Sequence, residues 1–260
     1  MADEYLLAGQ RSELERLTQQ ARTWEPAGQA LLDRIGDGAG LRALDVGCGA
    51  HGWLKLLSRW VGEDGEVVGT DVDPTLLAAA RKLDLDNVEL IEDDLFASRL
   101  EPASFDLVHA RFQLCPLGRA QEQVEIYAGL TRPGGHLVLE EPDSGSWHCN
   151  PPAPATEALI GLIVDAFRHA GGDFDAGRQL PALLTDVGIE ATTYARVLAL
   201  GAGHPYLKLP LQFAASLDHR LRQHTPAAEL EELVAAAEEE LADPDRWGTT
   251  FTLIQAHARP

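Results

Sequence analysis

Short apolar runs alternate with longer amphipathic stretches between residues 41 and 140, and this alternation predicts buried strands separated by helices. Strands that are buried on both faces and joined through helices form parallel sheets. The pattern therefore predicts a doubly wound α/β fold. The predicted strands are Leu41–Val46, Glu66–Thr70, Val88–Ile91, Phe105–Ala110 and His136–Glu140, and the predicted helices are Trp53–Trp60, Thr75–Lys82 and Ala120–Leu130.

The flanking segments are mainly helical and add two strands. Apolar residues at helical spacing predict a helix before Pro26, and Pro26 is expected to begin a second helix that continues to Ile35. Beyond residue 140, the pattern predicts helices at 157–170 and 180–187, a helical insertion at 205–241, and strands at 189–200 and 249–256.

Composition narrows the class of protein. A chain of 260 residues, 45% of them apolar, is long enough for one α/β domain with additions. No apolar run reaches the roughly 18 residues of a membrane-spanning helix, and the acidic segment Met1–Glu4 does not resemble the start of a signal peptide. We therefore expect a cytoplasmic protein without a membrane partner. Its three cysteines are expected to be free thiols, with no metal bound.

Net charge bears on the partner. The formal charge is −20, and such a surface repels polyanions. This argues against nucleic acid and favours a small-molecule partner for a monomer or homodimer.

Glycines stand close together directly after the first predicted strand, in segment 45–52. Gly47 and Gly49 accept backbone angles that a Cβ forbids, so a ligand can lie against the main chain. The N-terminus of the following helix favours a negatively charged ligand group. With Gly52, the spacing also matches the dinucleotide fingerprint G-x-G-x-x-G. Two interpretations of this glycine turn are therefore open: it binds a nicotinamide cofactor, or it is a turn that binds no ligand.

Acidic residues follow the second and third predicted strands. In open α/β sheets, ligands bind beyond the carboxyl ends of the strands, near the point where the strand order reverses. Asp71 follows the second strand, 22 residues after Gly49, where a carboxylate can accept both hydroxyls of a ribose. Asp73 is better suited to cap the next helix.

Five motifs in segment 41–140 together resemble the class I S-adenosylmethionine-dependent methyltransferases. They are Leu44-Asp45-Val46-Gly47-Cys48-Gly49, Val67-Val68-Gly69-Thr70-Asp71, Glu92-Asp93-Asp94-Leu95, Phe105-Asp106-Leu107-Val108 and Arg132-Pro133-Gly134-Gly135-His136-Leu137-Val138. The resemblance implies a Rossmann-like, seven-stranded sheet that is mostly parallel, with the last strand antiparallel. It also implies S-adenosyl-L-methionine as cofactor and S-adenosyl-L-homocysteine as product.

The resemblance assigns roles to particular residues. Asp45 would help to hold the turn, and Gly47 and Gly49, with Cys48 between them, would lie beneath the cofactor. Asp71 would bind the ribose. Contacts with adenine would come from Val72, Asp94 and the main chain of Leu95.

The methionine end of the cofactor is less well defined. The resemblance brings the main chain near Ala110 to it, and Tyr5 and Gln20 are further candidates. Arg111 is expected to pair with a carboxylate of the cofactor or the substrate, with a structural salt bridge as the alternative. The sequence departs from the family pattern at His51, where a third glycine is common, so the course of the loop is open.

Three segments are positioned to cover the site. We expect an N-terminal helical cap at 1–40, a cofactor-binding core at 41–143, 181–202 and 249–260, and helical lid insertions at 144–180 and 203–248. Aromatic side chains suit a small, partly apolar acceptor, although ordinary packing is the alternative for each. The substrate-binding candidates are Trp24, Phe112, Trp147, His148, Tyr206 and Phe213.

A general base is needed only if the acceptor must lose a proton as it attacks. His148, in the loop after the fifth predicted strand, is the first candidate. His109, which is expected to be packed inside a strand, and Glu141 are the others.

The leading hypothesis is a methyltransferase that uses S-adenosylmethionine to methylate oxygen, nitrogen or carbon of a small, partly apolar or aromatic molecule. The alternative is a cofactor-binding protein of the same fold that does not transfer methyl groups, and an NAD-dependent oxidoreductase comes third.

Overall fold

A seven-stranded sheet forms the centre of the computed structural model, which describes residues 11–260. The strands along the chain are β1 (Arg42–Val46), β2 (Glu66–Asp71), β3 (Val88–Glu92), β4 (Phe105–Arg111), β5 (Thr131–Asp143), β6 (Cys149–Asn150), β7 (Ala191–Arg196), β8 (Ala199–Leu200), β9 (Trp247–Thr249) and β10 (Thr252–Ala258). The order in the large sheet is β3-β2-β1-β4-β5-β10-β7. Strand β10 is antiparallel to both of its neighbours, and the other pairs are parallel.

Helices connect the strands on both faces of the sheet. They are α1 (Arg11–Ile35), α2 (Leu54–Val61), α3 (Pro74–Ala80), α4 (Leu114–Leu117), α5 (Ala120–Leu130), α6 (Pro154–His169), α7 (Leu180–Asp186), α8 (Leu209–Ser216), α9 (Asp218–Leu221) and α10 (Ala227–Leu241), with single 3₁₀ turns at Arg81–Leu83, Leu95–Ala97, Ser144–Ser146, Ala176–Gln179 and Pro205–Lys208. The predicted fold class is confirmed, including the antiparallel last strand. The strand order reverses between β1 and β4, so a crevice is expected beyond their carboxyl ends.

The prediction that Pro26 begins a second helix is wrong, because α1 continues through Pro26 as one helix. A proline inside a helix removes one hydrogen bond and costs about 3 kcal/mol. Burial on both sides of Pro26 opposes that cost: Trp24 precedes it, Leu31 and Leu32 follow it, and all three side chains are almost completely buried.

Two predicted strands are each divided between two sheets. The predicted strand 189–200 becomes β7 in the large sheet and β8 in a small one, with order β6-β9-β8. The predicted strand 249–256 is likewise divided between β9 and β10. Thr250 separates the segments, because its main-chain N–H donates to Leu198 O and its hydroxyl accepts from Leu198 N. The small sheet has no counterpart in the sequence predictions.

A helical roof lies over the carboxyl ends of the strands, where α6 packs against α8 and α10 and α1 packs against α8. One hydrophobic cluster includes Val108 of β4, Phe167 of α6 and Leu241 of α10. The roof and the sheet therefore share a core. The division into cap, core and lid segments stays a prediction.

No helix in the described part of the chain combines the length and the apolar character needed to cross a bilayer.

Glu240 of α10 caps the N-terminus of α6. Ala153, which precedes α6, makes no side-chain cap hydrogen bond. The Glu240 carboxylate accepts instead from Ala155 N at 3.0 Å and Thr156 N at 2.8 Å, and also from the Thr156 hydroxyl. Burial alone would raise the pKa of Glu240, but these donors hold it below its ordinary value. This capping contribution is therefore present at neutral pH and is lost as pH falls through the lowered pKa.

We predict that Glu240→Ala lowers the free energy of unfolding at pH 7 by about 1–3 kcal/mol, because two helix N–H groups lose their acceptor. Urea denaturation measures the change. The difference from the parent chain should shrink as pH falls through the lowered pKa of Glu240, where the parent carboxylate becomes protonated. Glu239→Ala is the matched control: Glu239 lies in the same helix turn and is exposed, so a loss of less than about 0.5 kcal/mol is expected. Equal losses would contradict the capping role.

Candidate functional site

The turn after β1 is held by the carboxylate of Asp45. Its Oδ2 accepts a hydrogen bond from Trp53 N at 2.7 Å, just before α2. Gly47, Gly49 and Gly52 have φ angles of +62°, +53° and +40°, in the region that favours glycine. A Cβ at Gly52 would overlap Asp45 Oδ2. The glycine therefore lets the carboxylate reach the start of the helix.

Asp71, at the end of β2, is bound to the same turn. Its Oδ2 accepts from Gly49 N at 2.8 Å, and its Oδ1 accepts from Asp73 N at 2.9 Å. Burial raises the pKa of the Asp71 carboxyl above its ordinary value, and these two N–H groups offset part of the rise. The predicted proximity of Asp71 to the glycine turn is therefore present. Asp73 accepts from Thr75 N and caps α3, as predicted.

The end of β3 forms the adjoining wall of the crevice. Asp94 is exposed, and its Oδ1 accepts from Phe96 N at 3.0 Å. Leu95 is half-buried, and Val72 beside them is 52% exposed, which is unusual for a valine. Across the crevice, the guanidinium of Arg119 lies 3.7 Å over the Phe96 ring.

A chain of buried charges runs beneath the turn. His109 Nδ1 lies 2.7 Å from Asp45 Oδ1, and His109 Nε2 lies 3.2 Å from Glu140 Oε2. Burial alone would lower the pKa of His109, but the two carboxylates raise it above its ordinary value. Burial alone would raise the pKa of Glu140, but the hydrogen bond from His109 and the charge of Arg111 lower it. The arrangement therefore favours a charged imidazolium between two carboxylates.

Helix α1 contributes polar groups to the opposite wall. Arg16 Nη1 donates to Gln20 Oε1 at 2.9 Å, and both side chains are buried. Leu17 lies over the turn, since a Cβ at Gly49 would be 3.8 Å from Leu17 Cδ1.

These elements enclose a cavity of about 490 Å³. That volume lies within the range of small-molecule sites. At one end, the walls are the glycine turn and the acids that follow β2 and β3. At the other end, the walls are phenyl rings from the segment after β4, from α6, from the loop before α7, from α8 and from the loop before β10. These rings belong to Phe112, Phe167, Phe174, Phe213 and Phe251.

Comparison with known proteins agrees with this geometry. Residues 43–135 match the model of a family described as "methyltransferase domain". The chain is 29% identical over 125 residues to a demethylmenaquinone methyltransferase of Staphylococcus saprophyticus, covering 47% of this chain and 52% of that protein. It is 28% identical over 186 residues to a 37.1 kDa protein of transposon Tn4556 from Streptomyces fradiae, covering 70% of this chain and 52% of that protein.

A crystal structure of a SAM-dependent methyltransferase from Aquifex aeolicus superposes with a TM-score of 0.55 at 23% identity, over 74% of this chain and 93% of that one. The resemblance to class I enzymes is thereby confirmed for the fold and for the match of residues 43–135 to the methyltransferase-domain family. The chain spans about half the length of the curated relatives it matches.

Most of the predicted cofactor residues lie at the cavity. The lining includes Asp45, Gly47, Cys48, Gly49, Asp71, Val72, Asp94, Leu95, Arg111 and Gln20. Ala110 differs, because its side chain is completely buried in β4 and it is not among the residues that line the cavity. Tyr5 lies outside the described residues.

Only two of the predicted substrate residues, Phe112 and Phe213, line the cavity. Trp24, Trp147 and Tyr206 are buried in a second layer behind it, and their predicted contact with substrate is not supported. Trp24 Nε1 donates to Tyr206 Oη at 3.0 Å, so each side chain satisfies the polar atom of the other. Trp147 stacks on Phe174 with ring centroids 5.5 Å apart.

The structure does not support the predicted general bases. His148 is exposed in the loop after β5, outside the cavity lining, and its Nε2 contacts Gly145 O at 3.2 Å. His109 faces a carboxylate with each ring nitrogen, so it has no free lone pair. Glu141 accepts hydrogen bonds from Gln113 N, Leu114 N and Cys115 N, where it caps α4. Burial raises the pKa of Glu141 to about 7.

Sequence reasoning missed several lining residues, including Arg16, Phe174 and Phe251. A single arginine beside Leu14 and Leu17 on an amphipathic helix was a usable signal for Arg16, which is 3% exposed. The sequence gives no such signal for Phe174 or Phe251. Both lie in irregular segments, which have no periodic pattern that would show which side chains face the interior. Among the described residues, no group of three or more potential metal ligands is present.

We predict that Gly52→Ala destabilises the protein by about 1–3 kcal/mol more than Gly62→Ala. Both substitutions place alanine at positive φ, +40° and +69°, which costs about 1–2 kcal/mol each. Only the Cβ at residue 52 would displace the Asp45 carboxylate from Trp53, since nothing lies within 4 Å of a Cβ at Gly62. Chemical denaturation of both variants measures the difference, and equal stabilities would show that the turn does not depend on this contact.

Proposed function

We propose that this protein is an S-adenosylmethionine-dependent methyltransferase that acts on a small, partly apolar or aromatic molecule. The observation that carries the proposal is the hydrogen bond between Gly49 N and Asp71 Oδ2 inside a methyltransferase domain. It joins a ribose-binding carboxylate to a glycine turn at the point where the strand order reverses.

The residues around Asp71 fit a nucleoside. An ionised carboxylate offers about four acceptor sites, and Gly49 N and Asp73 N use two of them. The remaining two suit the two hydroxyls of a ribose. In this proposal the exposed side chain of Val72 packs on adenine, while Asp94 accepts from its amino group and the Leu95 main chain meets the ring.

The turn fits the sulfur-containing end of the cofactor. A Cβ at Gly47 would overlap the side chain of Gln113, so only a glycine leaves room there for both the Gln113 amide and a ligand. In this proposal Gly47, Cys48 and Gly49 lie beneath the cofactor. Asp45 holds the turn and Gln20 reaches the polar end from α1.

When bound, S-adenosylmethionine supplies a methyl group on a sulfonium, which an acceptor displaces in line to leave S-adenosylhomocysteine. The residues of this chain then have two tasks, alignment of the acceptor and exclusion of water. The phenylalanine end of the cavity suits both the alignment of the acceptor and the exclusion of water. The roof of α1, α6 and α8 lies over this end, and in this proposal it covers a small acceptor.

The partner and compartment follow as parts of the same proposal. With a formal charge of −20, the surface repels nucleic acid, and the neighbouring folds include methyltransferases of small molecules. We therefore propose a cytoplasmic enzyme, acting as a monomer or a homodimer on a small-molecule acceptor.

A second function is a protein that binds the cofactor without transferring its methyl group. It is favoured by one observation, that His109 and Glu141 are committed to structural hydrogen bonds and His148 lies outside the cavity lining. Incubation with methyl-labelled S-adenosylmethionine and a panel of phenols, indoles, amines and acids separates the two functions. Label transfer to any acceptor excludes the second.

We predict that the protein binds S-adenosylhomocysteine in isothermal titration calorimetry and that Asp71→Ala weakens this binding about 10- to 100-fold, because a charged acceptor is lost. Asp73→Ala is the matched control. It removes the cap of α3 and lowers stability by about 1 kcal/mol, but should leave the affinity for S-adenosylhomocysteine nearly unchanged. No binding by the parent chain at high micromolar ligand would refute the proposed function.

A further inference from the structure

The two ends of the cavity differ in charge. The end that follows β2 and β3 is lined by Asp71, Asp93 and Asp94. The other end is lined by phenyl rings, and Arg16 and Arg111 lie where these rings meet the glycine turn, since Arg111 Nη2 is 3.4 Å from Gly52 O. A ligand that extends beyond the proposed cofactor therefore meets apolar rings and positive charge.

The phenylalanine end forms an enclosed, mutually packed wall. Phe251 makes edge contacts with Phe112 and Phe174, in each case with ring centroids 5.6 Å apart. Phe213 makes similar contacts with Phe174 and Phe167, at 5.9 Å and 6.0 Å. Such a wall contributes no hydrogen-bond donor or acceptor, so any polar recognition at this end must come from neighbouring groups.

Both arginines lie against rings of this wall. The guanidinium carbon of Arg16 is 4.9 Å from the centre of the Phe213 ring, and that of Arg111 is 5.7 Å from the centre of the Phe112 ring. Phe112 takes a φ of +57°, which is rare for a bulky residue, and its N–H donates to Glu140 O. This backbone conformation brings the Phe112 ring beside the adjacent arginine at the cavity surface.

Arg111 has unused donor capacity. Its Nη2 contacts Gly52 O at 3.4 Å, but its Nη1 is buried without a hydrogen-bond partner among the described residues. The carboxylate of Glu140 is 3.8 Å from Nη1, beyond hydrogen-bond distance, and it already accepts from His109 and Gln255. A buried charged donor without an acceptor is costly, so a shift of the Arg111 side chain that lets Nη1 meet an acceptor in the cavity is favoured.

We propose that the methyl acceptor is a flat, largely apolar molecule that carries a carboxylate, and that the Arg111 guanidinium binds this carboxylate while the phenylalanine wall packs on the ring system. This inference rests on the proposed function and names its substrate class. Arg16 adds a second positive charge at the same end. Ammonium acceptors are disfavoured here, because the acids of the cavity either lie at the opposite end or, like Asp45, are bound to other groups.

The decisive measurement compares matched acids and amides that differ only in charge. The parent protein, saturated with S-adenosylhomocysteine, is titrated at pH 7.5 by calorimetry with indole-3-acetate and indole-3-acetamide, and with 4-hydroxycinnamate and 4-hydroxycinnamamide. Each acid is expected to bind about tenfold or more tightly than its amide, as a charge-assisted hydrogen bond predicts. Equal affinities, or binding of neither member of either pair, would overturn the inference.

Variants then assign the preference to one residue. Arg111→Gln should reduce the acid-to-amide ratio to about one. Arg119→Gln is the matched control: Arg119 lines the other end of the same cavity, and its loss should keep the ratio. Arg16→Gln changes a residue of a different element, helix α1, and should lower the acid-to-amide ratio partly. If circular dichroism shows that Arg111→Gln does not fold, Arg16→Gln is the variant that tests the inference.

The cofactor's own carboxylate is the competing partner of Arg111. If Arg111 binds that group, Arg111→Gln weakens S-adenosylhomocysteine but not 5′-methylthioadenosine, which lacks the carboxylate, and the acid-to-amide ratio stays at its parent value. That result would overturn the inference. Failure of S-adenosylhomocysteine to bind the parent protein would instead refute the proposed function, and the acid and amide comparison on the unliganded protein would still decide the inference.

Discussion

The buried carboxylate of Asp45 is the interaction on which the site depends. One oxygen accepts from Trp53 N and fixes the start of α2, and the other contacts His109 of β4. The glycine turn is therefore tied both to the helix that follows it and to the neighbouring strand. Two further hydrogen bonds support the turn, from Cys48 N to Thr70 O and from Gln113 Nε2 to Gly47 O.

The Asp45 carboxylate, which is 1% exposed, belongs to a series of paired buried groups. Negative and positive groups alternate from Asp45 through His109 and Glu140 to Arg111. Isolated buried charges are costly, whereas paired and hydrogen-bonded ones are tolerated. Trp53 stacks on the His109 ring at 3.9 Å and excludes water from one face of it. The network thus connects the glycine turn to Arg111, whose Nη2 also contacts Gly52 O.

The sequence was sufficient to predict the parts of the site that directly follow the ends of strands. Strand positions could be predicted from apolar runs, and parallel strands present their carboxyl ends at one edge, so the approach of Asp71 to the glycine turn followed directly. Pro26 shows where local propensity fails: the packing of Trp24 and Leu31 outweighs a local preference that would otherwise end the helix. Likewise, Thr250 divides two predicted strands through contacts with Leu198, which is distant in sequence.

The acceptor side was predicted less well, because residue type does not tell which layer an aromatic ring occupies. Trp24 and Tyr206 have polar tips that must be satisfied when buried, and they satisfy each other behind Phe251. Phenylalanine has no such requirement, so it can form the inner surface. The result is a cavity wall without polar atoms of its own, backed by a layer that keeps its hydrogen bonds internal. Any polar selectivity at this end must then come from Arg16 and Arg111, the charged groups at the edge of the wall.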